Sequence, residues 1–278
     1  MPIPPERRGE RGMVLLVTLA VLALLIPLVY AGVEAQRFHA RQVQRELDLI
    51  AARRNAESLL ARIVRLLIED GAQTRSDHLG EPWAMPVAMS GPDGEEAAGV
   101  TNDLERFWNL NGVRLADGQI DDALRGVLVR LWQREGLAAD ALEGVLKAPL
   151  PLRALERIPG WDPTTDRKAR AHLLAEAECP SRRLNINTAA LATLEPVNPE
   201  RDWTAVVRMR EREPFGQVAD LSKAGVTLAP QESQLLGVNS ACFAVTIRSR
   251  AHGATGALTA LLVRDGGRMT IRKVRWNG

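Results

Sequence analysis

Twenty-one consecutive residues without a charge, Met13 to Val33 (MVLLVTLAVLALLIPLVYAGV), stand near the start of this 278-residue chain. At about 1.5 Å of rise per residue, an α-helix of that length matches the hydrocarbon thickness of a bilayer, so one membrane crossing is expected. Ahead of it stands MPIPPERRGERG, where Arg7, Arg8 and Arg11 outweigh Glu6 and Glu10. Such charge holds a leader on the cytoplasmic side, and Pro2, Pro4 and Pro5 are expected to keep it out of the helix.

The residues at this start admit three readings: a cleaved secretory signal, a plain signal anchor and a prepilin leader. A secretory signal is cut after its apolar core, and Val29-Tyr30-Ala31 or Val33-Glu34-Ala35 would serve. A prepilin is cut before it, after a glycine, and Gly12 stands at that junction. The following segment favours the prepilin. From Glu34 to Asp70 no Gly or Pro occurs, and Phe38, Val43, Leu47, Ile50, Leu59, Ile63 and Leu67 fall mostly at helical spacings. One long helix is expected, apolar in its first half, amphipathic in its second, and closed by Gly71 as a C-cap.

Composition narrows the rest. With 46% hydrophobic and 25% charged residues, the chain can bury a core, and a formal charge of +2 gives no reason to expect nucleic acid. Two cysteines, Cys179 and Cys242, exclude a four-cysteine metal site and leave either one disulfide or two buried thiols. Residues 72–103, with Pro82, Pro86 and Pro92, read as loop with short extended pieces near Trp83 to Met89, and a strand is expected near Leu104. From Asp117 to Gln234 the apolar spacing is helical, broken by Gly136, Pro149, Pro151, Pro159-Gly160, Pro196 and Pro199. After Ala241, alternation of Phe243, Val245 and Ile247 indicates three strands, with a hairpin at Asp265-Gly266-Gly267 and a looser turn within Ala251 to Gly256.

The fold class is therefore α+β: a long N-terminal helix on a small antiparallel sheet, with a large all-α insert. The expected division is a leader at 1–12, the membrane half of the helix at 13–33, the amphipathic helix and first part of a pilin-like domain at 34–116, the insert at 117–234 and the closing strands at 235–278.

Within the insert, LNINTAALATL (Leu184 to Leu194) followed by RMREREPFGQVADLSKAGV (Arg208 to Val226) resembles DNA-binding helix-hairpin-helix modules, with Thr188 as the first N-cap. Those modules hold phosphate with the backbone N–H groups of a glycine-rich hairpin. Here the hairpin is Glu195 to Asp202, with no glycine, two prolines and three carboxylates, so a packing role is expected. Leu152 to Leu173 repeats the pattern weakly around Pro159-Gly160. The acidic residues Asp93, Glu95, Glu96, Asp103, Asp117, Asp121 and Asp122 are candidate oxygen ligands for Ca²⁺, without EF-hand spacing. No catalytic constellation stands out, and His39, His78, His172 and His252 are isolated.

The order of motifs resembles the K-type minor pseudopilins of bacterial type II secretion. They are Arg11-Gly12 before the apolar run, Trp83-Ala-Met-Pro86, Leu104 to Asn111, Ala148-Pro-Leu-Pro-Leu152, Leu184 to Ala189, REREPFGQVADL and Val238 to Phe243. The resemblance implies cleavage between Gly12 and Met13 by prepilin peptidase and N-methylation of Met13. It makes Val17 the fifth residue of the mature chain, where most pilins carry Glu. It also implies a non-enzymatic subunit of the inner membrane, with its N-terminus cytoplasmic and its bulk periplasmic. Such a subunit caps the pseudopilus with the I-type and J-type minor pseudopilins, and exoprotein substrate or the outer-membrane secretin are further candidate partners. The alternatives are an exported helix-hairpin-helix DNA-binding protein and a minor pilin of a type IV pilus.

Overall fold

The computed structural model describes residues 8–91, 94–115, 117–152, 155–179 and 181–278, with backbone alone for residues 8–12. Residues 1–7 of the expected leader and the candidate ligand Asp93 lie outside the described residues. The chain divides into two compact units, Met1–Ala51 and Ala52–Gly278.

A single helix, α1 (Arg8–Gln73), begins in the first unit and ends in the second. Its start differs from the expectation, because residues 8–12 are helical: the prolines end at Pro5, and nothing after them blocks the helical hydrogen-bond pattern. Its end differs too. Gly71 remains inside the helix, which runs on until Thr74 N–H donates to Asp70 O at 2.9 Å. A Cβ on Gly71 would lie 3.1 Å from the Arg264 guanidinium, so this glycine admits a close neighbour instead of ending the helix.

In the second unit Ala52, Ala56, Leu59, Leu60, Ile63 and Leu67 are buried along one helical stripe. They pack on a five-stranded antiparallel sheet of order β1-β2-β7-β8-β9. Before the insert come β1 (Val87–Ser90) and β2 (Glu96–Asp103). The expected strand near Leu104 thus ends there: the Asp103 side chain accepts from Glu105 N–H and turns the chain into a 3-10 helix, Leu104–Arg106.

The inserted segment then runs through β3 (Trp108–Asn109), α2 (Asp122–Glu135), α3 (Ala139–Lys147), α4 (Pro163–Ala169), β4 (Leu173–Leu174), β5 (Leu184–Asn185), α5 (Leu191–Leu194), α6 (Trp203–Arg210), α7 (Pro230–Ser233) and β6 (Leu236–Gly237). Two short parallel ladders, β3 with β4 and β5 with β6, stitch an otherwise helical body. Leu128, Leu131, Leu184, Trp203 and Val206 form its core together with Trp108, Leu110 and Val113, which precede the expected boundary at 116/117.

The chain returns as β7 (Cys242–Ala251), β8 (Ala254–Asp265) and β9 (Arg268–Asn277). Gly266 and Gly267, at φ 52° and 79°, form the two-residue turn that pairs Asp265 with Arg268. The turn before it is tighter than expected: His252-Gly253 alone joins Ala251 to Ala254, with His252 at φ 46°. The β2–β7 ladder begins at Asp103 opposite Phe243, so the two ends of the inserted segment meet on adjacent strands.

Candidate functional site

In the first unit every residue from Met13 to Val33 is exposed, and the helix is long and apolar enough to cross a membrane. Thr18 donates its hydroxyl to Leu15 O at 2.9 Å, which satisfies a side-chain donor of this span within the helix. Met13 and Val17 lie one helical turn apart, and neither brings a side-chain carboxylate to that surface. Beyond the span, Val43, Leu47 and Ile50, four and three residues apart, form an exposed apolar stripe, and Phe38 is exposed on another face of the helix.

The second unit holds a buried polar junction. Arg264 of β8 donates from Nη1 to both Asp77 oxygens, at 2.8 and 3.0 Å, and from Nη2 to Asp70 Oδ2 at 3.2 Å and Leu67 O at 3.0 Å. Its guanidinium also lies 5.0 Å from the Phe243 ring centroid, a cation–π contact. Asp77 Oδ2 accepts from Ser240 N–H at 2.7 Å, and the Ser240 hydroxyl donates to Asp103 Oδ2 at 2.7 Å. Asp103 also accepts from Thr188 Oγ1 and from Asn185 Nδ2, the latter at 3.2 Å. Glu105 accepts from Ala241 N–H at 2.7 Å.

The junction therefore ties together the end of α1, the segment after it, the end of β2, the LNINT stretch and β8. Burial raises its carboxyl groups, Asp103 to about 6 against the bonds from Thr188 and Ser240, and Glu105 to about 8 against the bond from Ala241. None of Asp77, Ser240 and Arg264 was marked by its neighbours in sequence. The one local signal is an arginine closing the apolar run ALTALLV, which a buried strand tolerates only with a partner.

LNINT is a fastening turned inward. Leu184, Asn185, Ile186, Asn187 and Thr188 are all buried. Thr188 does not cap a helix as expected, because its hydroxyl is committed to Asp103 and α5 starts three residues later, after Ala190. Asn187 exchanges two hydrogen bonds with the Phe215 backbone, at 2.9 and 3.0 Å, which fixes the chain at Pro214-Phe215. The hairpin Glu195 to Asp202 lies on α2, where Arg130 donates to Pro196 O at 2.6 Å and Val197 O at 2.8 Å, and Arg134 pairs with Glu195 at 3.0 Å. The weaker echo at Leu152 to Leu173 consists of a single 3-10 turn, Leu155–Arg157, followed by α4.

Cys179 and Cys242 are joined as a disulfide with Cα atoms 5.6 Å apart, tying the inserted segment to the start of β7. The bridge closes a loop of 63 residues, so replacing both cysteines by serine is expected to lower stability by about 2–4 kcal/mol. Thermal unfolding of the two proteins side by side checks this; equal midpoints would mean that packing alone holds the joint.

The candidate calcium ligands are not brought together among the described residues. Asp103 belongs to the junction, Asp121 caps α2, the Asp117 carboxylate accepts from Gln119 N–H and Glu96 pairs with Arg250. Asp70, Asp77 and Glu81 do converge, with oxygens within 4.8 Å of one another, and two of the three, Asp70 and Asp77, are already paired with the Arg264 guanidinium. His39 is exposed, His252 sits in a turn, and buried His172 holds Thr193 Oγ1 at 2.9 Å, its pKa lowered by burial. These are surface and packing roles.

A long helix, apolar for one bilayer thickness and then packed on an antiparallel sheet that carries a helical insert, defines a pilin-like α+β fold. The chain has a GspK-like fold: it matches a chain of the solved GspK-GspI-GspJ complex from the type 2 secretion system of enterotoxigenic Escherichia coli. The TM-score is 0.62 at 16% identity, over 86% of this chain and 99% of that one. No protein-family profile matches the sequence, and no curated protein does.

Proposed function

We propose that this chain is a K-type minor pseudopilin, anchored in the inner membrane with its N-terminus cytoplasmic and working at the tip of a type II secretion pseudopilus through contact surfaces. The observation that carries this reading is the joint presence of an exposed apolar half-helix, a sheet-packed second half and an insert between β2 and β7, in a chain of which 86% matches its structural neighbour. The absence of a carboxylate at Val17 supports the tip position. Pilins that stack beneath a partner neutralise a terminal amine in lipid, where an unpaired charge is costly. The exposed Phe38, Val43, Leu47 and Ile50 would be covered by the helices of the I-type and J-type minor pseudopilins. A disulfide fits the oxidising side of the membrane. The packing of the Glu195 to Asp202 hairpin on α2 weighs against the DNA-binding alternative.

In cells with prepilin peptidase, the mature protein is expected to begin with methylated Met13, and Gly12→Leu to retain the leader; intact mass and N-terminal sequencing read both. A start at Gly32 or Gln36 would make it a soluble exported protein. Deleting the gene is expected to stop release of exoproteins through the secretin, with recovery on re-expression of the full chain. Normal secretion with loss of adhesion or motility would reassign it to a type IV pilus.

A further inference from the structure

Glu81 is 4% exposed, and its two oxygens have unlike surroundings. Oε2 accepts from His78 N–H at 2.8 Å and from the Trp83 indole at 2.7 Å. Oε1 is buried and has no partner, although Asp70 and Asp77 offer oxygens within 4.8 Å. His78 does not fill the gap, because its Nε2 stands 3.6 Å from Oε1, beyond hydrogen-bond reach.

The charged groups facing this spot can be taken element by element. Arg264 of β8 faces Asp70 and Asp77. Asp103 and Glu105, at the end of β2, face Asp77 from the other side and add negative charge. The turn before β7 contributes the Ser240 backbone and hydroxyl, without charge. One guanidinium thus serves Asp70 and Asp77, Asp77 takes two of its bonds, and none reaches Glu81. Burial and the neighbouring carboxylates favour the protonated form of Asp70, and a proton on Asp70 supplies the partner that Oε1 lacks.

We propose that Asp70 carries a proton that it donates to Glu81 Oε1, and that this proton fastens the last turn of α1 to the Trp83 turn, so that the junction loosens as pH rises. Burial, reinforced by Glu81 and Asp77 and opposed by Arg264, holds Asp70 at about 7, within reach of the conditions outside a cell. The device is independent of what the chain assembles with.

The indole of Trp83 reports on it directly, because it donates to Glu81. The full chain in detergent micelles is labelled with 5-fluorotryptophan, and the Trp83 signal among the six tryptophans is assigned by Trp83→Phe. Its fluorine resonance is followed between about pH 5 and 9, in chelator and in millimolar calcium. The expected result is a one-proton shift in the wild type, reduced several-fold in Glu81→Gln and in Asp70→Asn, and unchanged by calcium. A resonance that does not move with pH overturns the proposal, as does an equal shift in both variants. A transition seen only with calcium present also overturns it, by assigning the pair to a metal ion.

Discussion

Asp103→Ala is expected to lower the stability of the second unit by about 3–5 kcal/mol, a fall in Tm on the order of 10 °C. The carboxylate accepts from Thr188, Ser240, Asn185 and the Glu105 backbone; alanine removes the acceptor of all four and leaves the Ser240 hydroxyl and the Glu105 N–H buried without one, while Asn185 keeps its bonds to Asp77 O and Ser240 Oγ. Asp103→Asn keeps the volume and one acceptor and should cost less. The pH dependence has a definite sign. With its pKa raised from 3.8 to about 6, Asp103 holds a proton in the folded state that the unfolded chain has already lost. Its stabilising contribution is whole below about pH 4 and declines by about 1.4 kcal/mol per unit as pH rises toward 6. Unfolding curves of wild type and Asp103→Asn across that window should converge as pH rises; parallel curves would place the titration elsewhere.

Arg264→Met should be comparably damaging, at about 3–5 kcal/mol near neutral pH, because it removes the guanidinium that serves Asp77 and Asp70 and two bonds to backbone carbonyls. Here the loss should shrink as pH falls below 7, since Asp70, raised to about 7 even beside Arg264, then takes a proton. Adding Asp77→Asn to Arg264→Met should recover part of the stability. A double variant no better than the single would mean that the damage comes from lost packing against Phe243 and Gly71.

What the sequence disclosed follows from how local each signal is. The strands β7 to β9 were legible because Phe243, Val245 and Ile247 alternate cleanly and the turn at Gly266-Gly267 needs positive φ. The buried face of β2 carries Ala97, Gly99, Thr101 and Asp103, too small and too polar to register as a hydrophobic alternation, so that strand was read as loop. The membrane-length helix announced itself by composition, while its end did not: Gly71 reads as a stop signal until Arg264, far along the chain, is placed beside it. Thr188 misled for the same reason, its hydroxyl being taken by a residue 85 positions away. The junction is invisible in sequence because its ties span up to 197 positions, and no window of sequence contains both ends of such a bond.

The meeting of Asp103 and Phe243 on neighbouring strands also bears on how such a chain can change over time. The whole helical body hangs from two strand ends that an ordinary turn could join, so it behaves as a cassette spliced into a β-hairpin. Selection can enlarge, shrink or exchange it while leaving the helix-on-sheet chassis in register. The clasp between Cys179 and Cys242 would then mark where each new cassette must be locked to the chassis it inherits.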